Sequence, residues 1–199
     1  MKSKNNYSYI AVVVLVIAAF IGGIYALHGS GKITAETSGV ITDPKELLNK
    51  PVPQFTLEDR NGVKYSPADL KGKNVVLFFN EGLMCYPACW NQIVALGKDK
   101  RFKRNDTIAL SVVVDEPSDW KSAIMQMPEL GYATIIFDHD RAVSKKFGML
   151  TADSSMHYGS FPGHTYVVID KEGVVRFVYD DPRMAINDDL IASEMDTLK

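Results

Sequence analysis

The chain has 199 residues, a formal net charge of −2 at pH 7, 23% charged residues and 46% hydrophobic residues. Such a length and composition suit one globular domain plus an appendage, with enough apolar material for a core. Clustered Lys and Arg, which phosphate binding needs, are missing, so no nucleic-acid partner is expected.

The first element is an apolar run. Ile10 to Leu27 holds eighteen residues without a charge. As a helix it would rise roughly 27 Å, close to the hydrocarbon thickness of a bilayer. Lys2 and Lys4 precede it, and Tyr7, Tyr9 and Tyr25 flank its ends. Positive charge holds a terminus in the cytoplasm, and amphipathic rings favour the interface. The expectation is a transmembrane helix at 10–27, a cytoplasmic N-terminus at 1–9, and an extracytoplasmic remainder: a single-pass protein of the cell membrane. A cleaved signal peptide is the competing reading, although Ala26, Gly29, Ser30 and Gly31 do not form a clean cleavage site. Residues 28–50 are small and polar and read as a flexible tether, with one short helical turn between Ile41 and Lys50.

The folded domain is expected over 51–199. Gln54–Leu57 and Val63–Tyr65 read as short strands around the Asn61–Gly62 turn. Asn74–Asn80 is a continuous apolar run, as a strand buried on both faces requires. A helix follows over Tyr86–Lys98, then a buried strand at Thr107–Asp115 and a helix over Pro117–Gln126. Ala133–Phe137 is a third core strand, and Asp140–Phe147 a short helix ending at Gly148. Thr165–Asp170 and Val174–Tyr179 form a hairpin, and Asn187 caps a helix running to Leu198. Apolar strands alternating with helices predict an α/β fold, a mixed central sheet flanked by helices. The order βαβ followed by ββα is the thioredoxin-like arrangement.

Two cysteines are present, spaced Cys85-Tyr-Pro-Ala-Cys89. They follow the first core strand, at the sheet edge where α/β proteins place their sites. A helix N-terminus favours the thiolate, which makes Cys85 the expected nucleophile. Residues four apart in a helix have Cα atoms about 6 Å apart, inside disulfide range, so Cys89 can bridge to it. An inert structural disulfide is the alternative, but so short a loop constrains the unfolded chain little.

The stretch Pro51–Phe79, with its Pro-x-Phe-x-Leu opening, acidic-x-x-Gly turn and Leu-x-Gly-Lys lead into the core strand, resembles the AhpC/TSA redoxin group and its TlpA-like relatives. His164–Asp181 resembles their closing hairpin. The resemblance implies a thioredoxin-like fold and a thiol–disulfide oxidoreductase or peroxiredoxin-like thiol peroxidase. Cys85 would attack, Cys89 would resolve, and an external dithiol donor would regenerate the pair, with no cofactor. The substrate would be a disulfide-bearing protein or a peroxide. Several positions depart from the family patterns. Gly82 and Phe78 stand where peroxiredoxins carry Thr and Pro, and His164 falls where they carry Arg. Two peroxide-polarising groups are thus replaced, which favours protein disulfides as substrate. Thr165 occupies the position of the thioredoxin cis-proline, with Pro162 nearby. The Cys-x-x-x-Cys pair with His164 is also similar to Sco copper chaperones, which implies an alternative copper site at Cys85, Cys89 and His164, although Trp90 replaces their Pro.

Other residues carry expectations of their own. Glu81 could relay a proton near Cys85, against the blander expectation of a solvated carboxylate. Asp115, Glu116 and Asp119 read as a helix-start cluster. Trp90 reads as packing, Met84 as core filler, and His28 and His139 as surface residues. His157 lies in a loop the sequence does not place.

Overall fold

The structure, a computed structural model, describes residues 40–198. The span expected at 10–27, the segment 1–9 and most of the tether lie outside the described residues. Among the described residues no helix is long and apolar enough to cross a membrane.

Seven strands form one mixed sheet: β1 (Leu57–Asp59), β2 (Lys64–Tyr65), β3 (Asn74–Phe79), β4 (Thr107–Val113), β5 (Thr134–Phe137), β6 (Thr165–Ile169) and β7 (Val175–Asp180). Their spatial order is β2-β1-β5-β4-β3-β6-β7. The central trio β3, β4 and β5 is parallel, while β6 runs antiparallel to β3 and β7 antiparallel to β6. Among the described residues four α-helices cover the sheet: α1 (Ala88–Lys98), α2 (Trp120–Gln126), α3 (Ala142–Lys146) and α4 (Asp188–Asp196).

The unbroken apolar run of β3 follows from burial on both faces. Side chains alternate along a strand, so Val75, Leu77 and Phe79 join Val143 and Phe147 in one core. Val76 and Phe78 point the other way, into a second core with Trp90, Ile93, Trp120 and Ile191. All six residues of β3 are buried. Trp90 is therefore packing, as the sequence predicted, set edge-to-face on Tyr86.

Element ends differ from expectation by up to three residues. The first strand shifts to Leu57–Asp59, and the Pro117–Gln126 helix begins only at Trp120. The larger correction concerns the tether. Residues from about Ile41 belong to the folded unit, which therefore begins before Pro51. A 3-10 turn at Pro44–Leu47 is closed by a capping box, in which Asp43 accepts from the Lys45 amide and the Glu46 side chain returns to the Asp43 amide. Leu47 is buried, which stabilises by about 1.5–3 kcal/mol. The Asn49 amide donates to the Val175 carbonyl at 2.8 Å, and Pro51 bridges Val174. The short helical turn expected between Ile41 and Lys50 is therefore present at Pro44–Leu47, and what composition alone misses is its attachment to the folded unit.

Candidate functional site

Sheet register brings three segments to one edge. In β3 and β6, Phe79 pairs with Thr165 and Phe78 with Tyr166. The chain leaving β3 toward the cysteines thus lies beside His164, just before β6. Thr165 pairs in turn with Asp180, the last residue of β7. That adds the loop 181–187, and the Asp181 amide donates to the His164 carbonyl at 3.0 Å.

Cys85 and Cys89 form a disulfide, with Cα atoms 5.3 Å apart. Both cysteines are buried, Cys85 at 3% and Cys89 at 1% exposure, while the neighbouring Met84 and Tyr86 are exposed. The helix begins at Ala88 rather than Tyr86, so Cys85 closes the preceding 3-10 turn and Cys89 sits in the first turn of α1. The Cys89 amide donates to the Cys85 carbonyl at 2.9 Å. The helix dipole consequently bears on Cys89 at least as directly as on Cys85, a correction to the expected order. The Tyr86–Pro87 peptide bond is cis, the single such bond among the described residues; Pro162 is therefore trans.

His164 is 1% exposed. Its Nδ1 lies 3.6 Å from Cys89 Sγ. Its Nε2 lies 2.9 Å from the Tyr166 hydroxyl and 3.2 Å from the Ala185 carbonyl. Burial pushes the imidazole pKa down from 6.5 to about 4, against the opposing pull of Asp181, the Ala185 carbonyl and Asp180. The ring is neutral at physiological pH.

Cys85 is covered by Met184, whose Sδ lies 3.8 Å from Cys85 Sγ. Met184 holds a left-handed φ of 51°. Asp181 keeps its loop in place: the carboxylate accepts from the Arg183 and Ala185 amides and from Asn187 Nδ2. Burial alone would raise the Asp181 carboxyl, but hydrogen bonds from Asn187, Ala185 and Arg183 hold it below the usual range. Neither Met184 nor Asp181 was visible as a site residue, because nothing local in the sequence joins position 184 to position 85.

Gly82 explains itself structurally. It has a φ of 63°, and a Cβ added there would overlap the Asp115 carboxylate. Asp115 Oδ2 accepts from the Leu83 amide and from Trp120 Nε1, both at 3.1 Å. The Asp115 carboxylate, just past the end of β4, thus fills the space that a side chain at position 82 would need. Burial raises the Asp115 carboxyl, opposed by those two hydrogen bonds. Asp115 is therefore a brace for the Cys85 turn, not a helix cap. Asp119 stands at the cap position of α2 without capping through its side chain.

Glu81 is not the solvated carboxylate expected. It is fully buried, accepts from the Met156 and His157 amides at 2.8 and 3.2 Å, and meets His157 Nδ1 at 3.1 Å. It anchors the 156–157 loop, and its hydrogen bonds go to that loop and not to Cys85. Thr165 donates to Asp180 at 2.7 Å, and Pro162 is buried before the strand; neither makes a hydrogen bond to sulfur. His139 is exposed, as expected. Met84 is exposed, a correction to its reading as core filler. Among the described residues no group of three or more His, Cys, Asp or Glu side chains is arranged to hold a metal ion. With the sulfurs bonded to each other, the copper donor set is not assembled in this state.

The fold matches solved structures of the thioredoxin-like class. The mitochondrial 2-Cys peroxiredoxin from Plasmodium falciparum aligns at TM-score 0.63 and 22% identity, over 76% of this chain and 93% of that one. A putative protein disulfide isomerase from Bacteroides thetaiotaomicron aligns at 0.56 and 19% identity, over 75% and 86%. The architecture is thus that of a thioredoxin-like protein, with a cysteine pair at the strand–helix junction. More narrowly, residues 48–178 match the AhpC/TSA family model, and the chain belongs to the AhpC/TSA family. A chloroplastic peroxiredoxin Q from Gentiana triflora is 32% identical over 135 residues, covering 65% of this chain and 57% of that protein. The match thus spans less than two thirds of that relative's length.

Proposed function

We propose that this protein is a peroxiredoxin-type thiol peroxidase whose catalytic pair is Cys85 and Cys89. The observation that carries the reading is the Cys85–Cys89 disulfide itself, seated where β3 gives way to α1 in an AhpC/TSA domain. The sequence alone favours protein disulfides as substrate; kinship with peroxiredoxins moves the preference to peroxide. His164 beside Cys89 is compatible with both redox work and copper binding, and family membership favours redox.

The reaction runs in balanced steps. The Cys85 thiolate attacks one peroxide oxygen, the O–O bond breaks, and the departing alkoxide takes a proton to leave as alcohol or water. Cys85 is now a sulfenic acid. The Cys89 thiolate attacks that sulfur, the S–O bond breaks, hydroxide leaves as water, and the disulfide forms. An external dithiol then reduces the bridge by exchange. No cofactor enters this scheme. The proposal also keeps residues 10–27 as a single-pass anchor with the domain on the extracytoplasmic side, supported by the uncharged run and by Lys2 and Lys4.

Reduced, metal-free protein mixed with hydrogen peroxide in a stopped-flow instrument tests this. Trp90, adjacent to Cys89, supplies the fluorescence. A fast change with loss of both thiols per peroxide is expected. A rate no greater than that of a free thiol refutes peroxide as the substrate.

A further inference from the structure

The ring of His164 carries more information than its proximity to sulfur. A carbonyl oxygen can only accept, so a hydrogen bond from Nε2 to the Ala185 carbonyl at 3.2 Å requires the tautomer with its proton on Nε2, where the Tyr166 hydroxyl is a second partner at 2.9 Å. The Nδ1 lone pair then faces Cys89 Sγ at 3.6 Å. The Tyr166 hydroxyl meets Nε2, and the ring of Phe78 packs edge-to-face with the imidazole. Nothing comparable faces Cys85, whose sulfur meets the thioether of Met184. The two cysteines therefore sit in unlike surroundings, one beside a fixed acceptor and one beneath an apolar cover.

We propose that His164 is a catalytic residue for the closing step, acting as the general base that takes the proton of the Cys89 thiol as its sulfur attacks Cys85. The proposal rests on the reading that Cys85 is attacked first and Cys89 closes the bridge. When Cys85 is a sulfenic acid, the Cys89 S–H proton passes to Nδ1, the S–S bond forms, the S–O bond breaks, and Nδ1 returns the proton to the departing hydroxide as water. The environment favours this order. While the thiolate is present, a protonated ring has a counter-charge at contact distance. Once the disulfide has formed, that partner is gone, and burial expels the proton. The other charged groups acting on the ring are Asp181 and Asp180 from the end of β7. Both carboxylates are engaged by hydrogen bonds: Asp180 with Ser154 and Thr165, Asp181 with its own loop and Asn187. They favour a transient positive ring.

Dithiobis(nitrobenzoate) separates the two steps without any peroxide. The reduced full chain releases one coloured thiolate when Cys85 is modified and a second when Cys89 closes on the mixed disulfide. In His164→Gln the first release should stay within about twofold and the second should slow on the order of a hundredfold at neutral pH, recovering at alkaline pH where the thiolate forms unaided. In the wild type, the second release should stay level as pH falls from about 8.5 to 7, where an unassisted thiol loses about tenfold per unit. A second release that His164→Gln leaves unchanged, or slows equally at every pH, overturns the proposal. So does a wild-type second release that falls tenfold per unit, a test that needs no variant to fold. A protein inert to peroxide would refute the peroxidase reading yet leave this measurement decisive for His164.

Discussion

Replacing Gly82 by alanine perturbs the turn that delivers Cys85. Two costs arise. A left-handed φ of 63° disfavours any residue with a Cβ, by roughly 1–2 kcal/mol. The new methyl also overlaps the Asp115 carboxylate, which must move off the Leu83 amide and the Trp120 indole. Each hydrogen bond to a charged group contributes about 1.5–3 kcal/mol. Against this, alanine lowers the entropy of the unfolded chain, worth about 0.4–1 kcal/mol. The expected loss is about 3–7 kcal/mol, a large part of a typical domain stability of about 5–15 kcal/mol. Urea unfolding followed by Trp fluorescence reads it. The same change in an Asp115→Ala background should cost only about 1 kcal/mol, because the overlap is gone and the backbone strain alone remains. A loss below about 1 kcal/mol in the single variant, or an equal loss in both backgrounds, would refute the brace between Asp115 and the Cys85 turn. The same reasoning says that threonine at position 82 would not restore the usual peroxiredoxin arrangement while Asp115 is present.

Two further outcomes follow from the buried acid–base groups. His164 is pushed down from 6.5 to about 4, so between those values the unfolded chain binds more protons than the folded one. Stability is thus whole above pH 6.5 and falls toward pH 4, by about 3 kcal/mol in all; pH-dependent urea unfolding of His164→Gln should lack that share of the slope, and an unaltered slope would refute the assignment. Glu81→Ala removes the acceptor for two amides and a ring nitrogen, and should cost about 2–5 kcal/mol with faster amide exchange at Met156 and His157, whereas Glu81→Gln, which keeps one oxygen, should hold most of that protection.

The sheet was legible because β3, β4, β5 and β6 are short apolar runs bounded by turns, and double-sided burial has no other simple sequence signature. The cysteine pair was legible from its spacing and its place after β3, and His164 from its register with the closing hairpin. What escaped were contacts made across long separations. Asp115 braces Leu83 from 32 positions away, Met184 covers Cys85 from 99, and Glu81 holds His157 from 76. In each case the residue type is ordinary and only the fold makes it specific. Glu81 shows the hazard most clearly: a carboxylate is expected in water, and here the loop it organises compensates its complete burial.

Gln92 lies one turn beyond Cys89 in α1. Its Oε1 accepts from the Asn187 amide and its Nε2 donates to Asp188 Oδ1, both at 2.7 Å. One side chain thereby fastens the helix that carries Cys89 to the first turn of the C-terminal helix. Were α1 to fray from its start, this clasp at Gln92 would mark where the fraying stops.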